Sequence, residues 1–294
     1  MKTYITIALS IFILFFSSCE KIVDNVDIPL QQPKVVVSCF ISPEDTLIKA
    51  FIYLSSPIFS NSNTDNYTPV NNAVVKISDY TNEATLAYQS MSHEYYSIGT
   101  DIFPILPGNN YRLTVSVPGY DNVEASCHVP LYANQSMQFL SFDSIQEDEY
   151  AWKYIFKTEF TDFSGVGDFY RVSGVITSVY DYGSGAADTS WNQIYTQFDK
   201  EYLSDKLVDG QKIQSVFEYW IGYYMEKEYG EKFLSAEFFL LTTDENYYRF
   251  HRSLSSYSGD DPFSEPTIVY SNINGGLGAF GAYRKSSVKF IFPN

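Results

Sequence analysis

Alternation with a period of two constrains this chain more than any other feature. Tyr111, Leu113, Val115 and Val117 alternate with Arg112, Thr114 and Ser116. Val35, Val37, Cys39 and Ile41 share one face of an earlier segment, and Val123, Ala125, Cys127 and Val129 share one face of a later one. Ile48, Ala50, Ile52 and Leu54 repeat the pattern, as do Ala73, Val75 and Ile77. Successive side chains of a strand point to opposite faces, so these runs read as half-buried strands. Turn-forming clusters separate them: Ser42-Pro43-Glu44-Asp45, the polar stretch 60–66, Pro107-Gly108-Asn109-Asn110 and Pro118-Gly119. Short strands punctuated in this way predict a β-sandwich, immunoglobulin-like or transthyretin-like, over residues 33–130.

The alternation resumes in a second β-rich unit, 131–294. Trp152, Tyr154, Phe156, Thr158 and Phe160 alternate with Ala151, Lys153, Ile155, Lys157 and Glu159. Further strands are expected at 169–176, 213–220, 233–241, 279–283 and 288–292, and a loop at Gly183-Ser184-Gly185. One amphipathic helix is expected near 244–258. Thr243 is its expected cap, Asp244 and Glu245 suit its positive end, and Gly259 stops it. Tyr247, Phe250, Leu254 and Tyr257 recur at helical spacing and form its expected packing stripe, with Leu254 buried. Glu245 and Arg249 stand four apart in the favourable order.

The N-terminus carries a different signal. Met1-Lys2 is followed by an apolar run to Phe16 and then by Ser17-Ser18-Cys19. One positive charge, a short apolar run and small residues make a bacterial export signal over 1–18. Phe16-Ser17-Ser18-Cys19 resembles a lipobox, with Phe16 in place of the usual Leu. The resemblance implies lipidation of the Cys19 sulfur. Residues 19–32, with Pro29 and Pro33 at or beside their end, read as a tether. Two or more acyl chains hold a protein stably to a membrane, whereas one does so only marginally. No later apolar run is long enough to span a bilayer.

The formal charge is −16, which disfavours nucleic acid and anionic headgroups. There are 26 Tyr and 23 Phe. That excess suits strands and also wet binding surfaces, where a ring is covered and its hydroxyl stays solvated. Tyr219, Trp220, Tyr223 and Tyr224 are the densest group and the candidate binding aromatics, with core packing as the alternative. Cys39 and Cys127 both point inward, either as a disulfide or as small buried hydrophobes.

Signals for catalysis are weak. His93, His128 and His251 are not spaced as metal ligands, and His128 alternates outward. No Gly-x-Ser-x-Gly elbow marks a nucleophile. Carboxylates are too numerous for any pair to single out glycoside hydrolysis. Asp260, Asp261 and Glu265 lack the spacing of a calcium loop. The glycine-rich Asn274-Gly275-Gly276-Leu277-Gly278 is followed by an expected strand rather than a helix, so it does not read as a phosphate loop. Its glycines are expected to adopt positive φ or to let segments pack closely. No cofactor is implied.

Several segments together resemble a family of Bacteroidota outer-membrane lipoproteins known only as a domain of unknown function. They are Ser18-Cys19-Glu20, Pro33-Lys34-Val35-Val36-Val37, Val70-Asn71-Asn72-Ala73-Val74-Val75, Tyr111-Arg112-Leu113-Thr114-Val115, Phe169-Tyr170-Arg171-Val172, Asp209-Gly210-Gln211 and Tyr247-Tyr248-Arg249-Phe250. The most specific are Asp261-Pro262-Phe263-Ser264-Glu265-Pro266 and the run from Asn272 to Gly281. The resemblance implies an outer-membrane location, on the periplasmic or the cell-surface side, and a TonB-dependent receptor β-barrel as partner. It implies no reaction. The expected function is therefore non-enzymatic, as an accessory subunit of such a receptor or of a nutrient-uptake complex. A surface glycan-binding lipoprotein is the alternative, and a glycoside hydrolase the weakest reading.

Overall fold

The computed structural model describes residues 32–56, 68–90, 94–147, 151–165, 167–181, 187–197, 200–222, 231–257 and 268–293. The described residues from Pro33 onward pack as one compact unit. Its strands are β1 (Val35–Ile41), β2 (Leu47–Leu54), β3 (Thr68–Pro69), β4 (Val74–Ser78), β5 (Glu83–Gln89), β6 (Tyr95–Gly99), β7 (Asn110–Ser116) and β8 (Val123–His128). There follow β9 (Gln138–Gln146), β10 (Ala151–Thr161), β11 (Phe169–Asp181), β12 (Ala187–Thr196), β13 (Tyr202–Ser204), β14 (Lys212–Gly222) and β15 (Lys232–Thr243). Helix α1 (Glu245–Ser255) and the long β16 (Leu277–Ile291) come last. The fold is mostly β with one α-helix among the described residues.

The first half is a sandwich. One layer holds β6, β2 and β1, the other β8, β7 and β4, and β5 pairs with both β4 and β6. Val37, Cys39, Ile41, Ala50 and Ile52 face Val75, Ile77, Leu113, Val115 and Cys127 in one core. Their alternation with partly or fully exposed residues is what made these strands readable. Cys39 and Cys127 lie in this core as free thiols. They take the second of their two alternatives, small buried hydrophobes, and burial pushes the Cys39 thiol up to about 12.

The second half is a curled antiparallel sheet in the order β16-β15-β11-β12-β14-β10-β9. Its two outer strands approach each other through rings: Phe139 lies 4.8 Å and Phe142 5.2 Å from Phe290, centroid to centroid. Phe156, Phe217 and Phe238 complete a largely aromatic core. Each such ring pair adds roughly 0.5–1.5 kcal/mol beyond area burial.

One strand belongs to both cores. β16 first runs parallel to β1, from Val36↔Leu277 to Ile41↔Ala282, and then antiparallel to β15, from Thr243↔Tyr283 to Ser235↔Ile291. Phe280 and Ala282 sit in the first core, while Val288 and Phe290 pack against the second. The sequence suggests two strands here because Arg284-Lys285-Ser286-Ser287 interrupts the apolar pattern. Those residues mark the crossing between cores, where Arg284 Nε donates to Glu44 (2.6 Å) and Ser286 Oγ to the Asn134 carbonyl (2.5 Å).

The glycines before and within β16 admit this packing. Gly275 and Gly278 have φ of +80° and +99°. A Cβ on Gly278 would stand 2.0 Å from the Val37 carbonyl oxygen. Only glycine fits so close to a parallel neighbour.

Helix α1 differs from expectation in three ways. It is shorter, Glu245–Ser255, and its cap is Asp244, whose carboxylate accepts from Tyr247 N at 2.8 Å. Thr243 cannot cap because it closes β15, with its hydroxyl directed to the Phe169 carbonyl. The buried residues are Tyr247 and Tyr248, whereas Leu254 is 47% and Tyr257 53% exposed. The helix packs its first two turns against β16 and β11, and beyond them Leu254 and Tyr257, the second half of the expected stripe, cover no core among the described residues. Glu245 and Arg249 do pair, at 3.5 Å. No helix among the described residues is long and apolar enough to cross a membrane.

Candidate binding face and adjoining groove

The outward face of the second sheet carries the least expected side chains. On β12, Trp191 is 70% and Tyr195 65% exposed, while Ile194 between them is buried. Cross-strand register fixes their neighbours. One row across four strands reads Trp191, Thr177, Ser235, Ile291, and the next reads Gln193, Val175, Glu237, Lys289. Trp191 and Ile291 flank a shallow depression that Leu234 and Phe239 also line. Lys285 Nζ lies 4.6 Å from the Phe239 ring centre, so a cation borders this apolar surface.

Alternation splits the expected aromatic group. Tyr219 turns inward and packs against Phe233 at 5.9 Å, and burial pushes its hydroxyl up to about 12. Trp220 turns outward, is 56% exposed and lies under Lys153 Nζ at 4.9 Å. Tyr223 and Tyr224 lie outside the described residues, as do Cys19, His93, Asp260, Asp261 and Glu265. The structure thus brings Trp220 onto a surface with Trp191 and Tyr195, which sequence reasoning missed.

The reason for the miss is physical. The inward positions of β12 include Ser190 and Asn192, which bond to each other at 3.0 Å, and Ser190 also meets Ser178 at 3.0 Å. With polar residues inside and aromatics outside, the segment shows the reverse of the usual strand pattern. Only the strict alternation Trp191-Gln193-Tyr195 could have betrayed it.

A groove opens at one edge of this face. The neighbour of β11 changes there: Phe169–Arg171 pair with β13, while 174–181 pair with β12. Val172 and Ser173 lie between, with the Val172 amide donating to the Glu201 carbonyl at 2.9 Å. The groove holds about 200 Å³, with Tyr195 and Thr196 on one side, Glu201 and Tyr202 on the other, and Arg252 from the end of α1 above.

Behind it sits a buried polar cluster. Arg171 Nε donates to Glu201 at 2.6 Å, and its Nη1 donates to the Tyr247 hydroxyl at 2.8 Å. The ring of His251 stacks on Tyr202 and contacts Phe40, Tyr247 and Phe250. Its Nε2 is buried without a hydrogen-bond partner. Burial, helped by Arg171, lowers this imidazole to about 4, so it stays neutral.

Two carboxylates stand above their usual range. Asp244 is held at about 6 by burial, although it also accepts from Tyr247 N and Ala282 N. Asp168 is held at about 6 by burial and by Asp162, Asp205 and Asp209. Those three neighbours bind the amides of Gly210, Gly167 and Gly165 at 2.7–2.9 Å, and so staple two loops together. Neither raised carboxylate lines the groove. Among the described residues, no three His, Cys, Asp or Glu side chains are placed to hold a metal ion. The His128 ring meets Asn110 at the exposed edge of the sandwich.

Comparison with curated proteins gives no match. A family model does match, over residues 23–289. The chain therefore belongs to the family described as a domain of unknown function, DUF4249.

Proposed function

We propose that this chain is a non-enzymatic binding protein, anchored by acylated Cys19 to the outer membrane and serving as an accessory subunit of a TonB-dependent receptor. The observation that carries the reading is the exposure of Trp191, Tyr195 and Trp220 together with Ile291 on one outer sheet surface. Large apolar side chains gain nothing from water, and partner contacts are typically anchored by a few Trp, Tyr and Arg residues. Of the two raised carboxylates, Asp244 is engaged as a helix cap and Asp168 stands among the carboxylates of the loop staple, neither in the groove, which supports binding over glycoside hydrolysis.

The test is native purification. Tagged full-length protein, extracted in mild detergent, should bring down a β-barrel of the TonB-dependent class. Trp191→Ala with Trp220→Ala should weaken that association while leaving the thermal midpoint in place. A contact of this kind should bury at least roughly 1,000 Å². Repeated recovery of this chain alone would overturn the receptor assignment. Cys19→Ala should release the protein from membranes, and persistence in the salt-washed membrane fraction would overturn the anchor. A second reading, glycan binding, is favoured by the polar groove beside Tyr195.

A further inference from the structure

We infer that the groove between β11, β12 and the end of α1 is a saccharide site, taking one neutral sugar ring against Tyr195. The inference deepens the binding reading, on its glycan side, and does not depend on a receptor.

Size is the first argument. At about 200 Å³ the groove is smaller than the roughly 300–1,000 Å³ typical of drug-sized ligands. It suits a single ring or the terminal unit of a chain, and it opens onto the outer face, where a longer chain would continue.

Chemistry is the second. Gln193 and Thr196 each offer a donor and an acceptor, Glu201 accepts and Arg252 donates. Two of these groups are held in place. Glu201 is fixed by Arg171 at 2.6 Å, and the Arg252 guanidinium is bonded to the Tyr248 hydroxyl while lying over that ring at 5.6 Å. A carboxylate has about four acceptor positions and a guanidinium five N–H groups, so both retain capacity for a ligand. Groups positioned beforehand lose little entropy on binding.

The mixture then selects the ligand class. An apolar ligand would leave these donors and acceptors unpaired, at the full cost of their desolvation. A free anion would meet one uncompensated cation in a chain of net charge −16, because Arg171 is already neutralised by Glu201. A polyhydroxylated neutral ring matches donors with acceptors and presents a C–H face to Tyr195. Tyr195 has no core to fill at 65% exposure, and this role accounts for it.

The experiment uses the full chain in a detergent without a sugar headgroup. Glucose, galactose, N-acetylglucosamine and their common disaccharides are titrated by saturation-transfer NMR and calorimetry up to about 10 mM. At least one should bind. Tyr195→Ala and Gln193→Ala should each weaken it at least about tenfold, with unfolding midpoints unchanged. Ile102→Ala, an exposed change in the sandwich half and away from both the groove and the outer face, should leave it unaltered. Silence of the whole panel overturns the inference. So does binding that survives Tyr195→Ala, or binding of inorganic phosphate in preference to every sugar. Receptor co-purification is scored separately with the same variants. In the parent chain, no sugar binding with intact co-purification rejects the groove alone, and sugar binding without co-purification rejects the receptor alone.

Discussion

Gly281 lies against Tyr247 with no room for a side chain: a Cβ on Gly281 would stand 2.9 Å from the Tyr247 backbone nitrogen. The contact seats the first turn of α1 on β16, and the atoms it meets are the Tyr247 backbone N and Cα and its Cβ, which cannot swing aside. Gly281→Ala should therefore destabilise by roughly 1–3 kcal/mol, the usual range for overpacking. Urea unfolding checks this, and an unchanged midpoint would mean that the helix can lift away freely.

The helix also separates two positions that look alike in sequence. Leu254→Ala should shift stability by no more than about 0.5 kcal/mol, because the side chain is half exposed. Tyr247→Ala should cost about 3–5 kcal/mol, since it removes a buried ring together with the Arg171 hydrogen bond. Equal losses at both positions would contradict the placement of α1.

Acid should act on two groups in opposite directions. His251 is lowered to about 4 in the folded chain, so the unfolded chain binds its proton first. Its contribution is complete above about pH 6.5 and is lost as pH falls toward 4. Asp168 is raised to about 6, so its ionisation weakens the fold as pH rises from about 4 through 6. Thermal midpoints across pH 4–8 should show His251→Phe resisting acid better than the parent. Asp168→Asn should be stabilising at pH 8, with a benefit that fades by about pH 4. Parallel curves for parent and variant would remove either assignment.

Cys39 and Cys127 should be chemically silent in the native protein. Both are buried, and a thiol pushed to about 12 leaves almost no thiolate to react. Intact mass after iodoacetamide should show neither labelled natively and both labelled in denaturant without reductant. Labelling only after reduction would mean that a disulfide joins them.

How well the chain could be read depended on what lies beneath each strand. Val35, Val37, Cys39 and Ile41 sit over an apolar core and alternate with partly covered residues, so β1 was plain from its letters. β12 was not, because Ser190 and Asn192 satisfy each other inside while Trp191 and Tyr195 face out. Leu254 misled for a similar reason. Helical spacing shows which residues share a face, but not how far along that face the neighbouring sheet extends. Of the surface now identified, only Trp220 was named from sequence. The groove was invisible, since it arises where β11 exchanges one neighbour for another, and no local pattern records such an exchange.

The shared strand sets an order on events in the life of the chain. Arg284 and Glu44 are 240 residues apart and yet in contact, and the adjoining β1–β16 ladder spans a comparable interval. Pairings of such range make folding slow, because the loop entropy is lost before the contacts repay it. A chain synthesised from its N-terminus presents β1 lacking a neighbour on one edge. Until β16 arrives, that edge is open to other chains, so folding of this protein should depend on a holding chaperone more strongly than its size suggests.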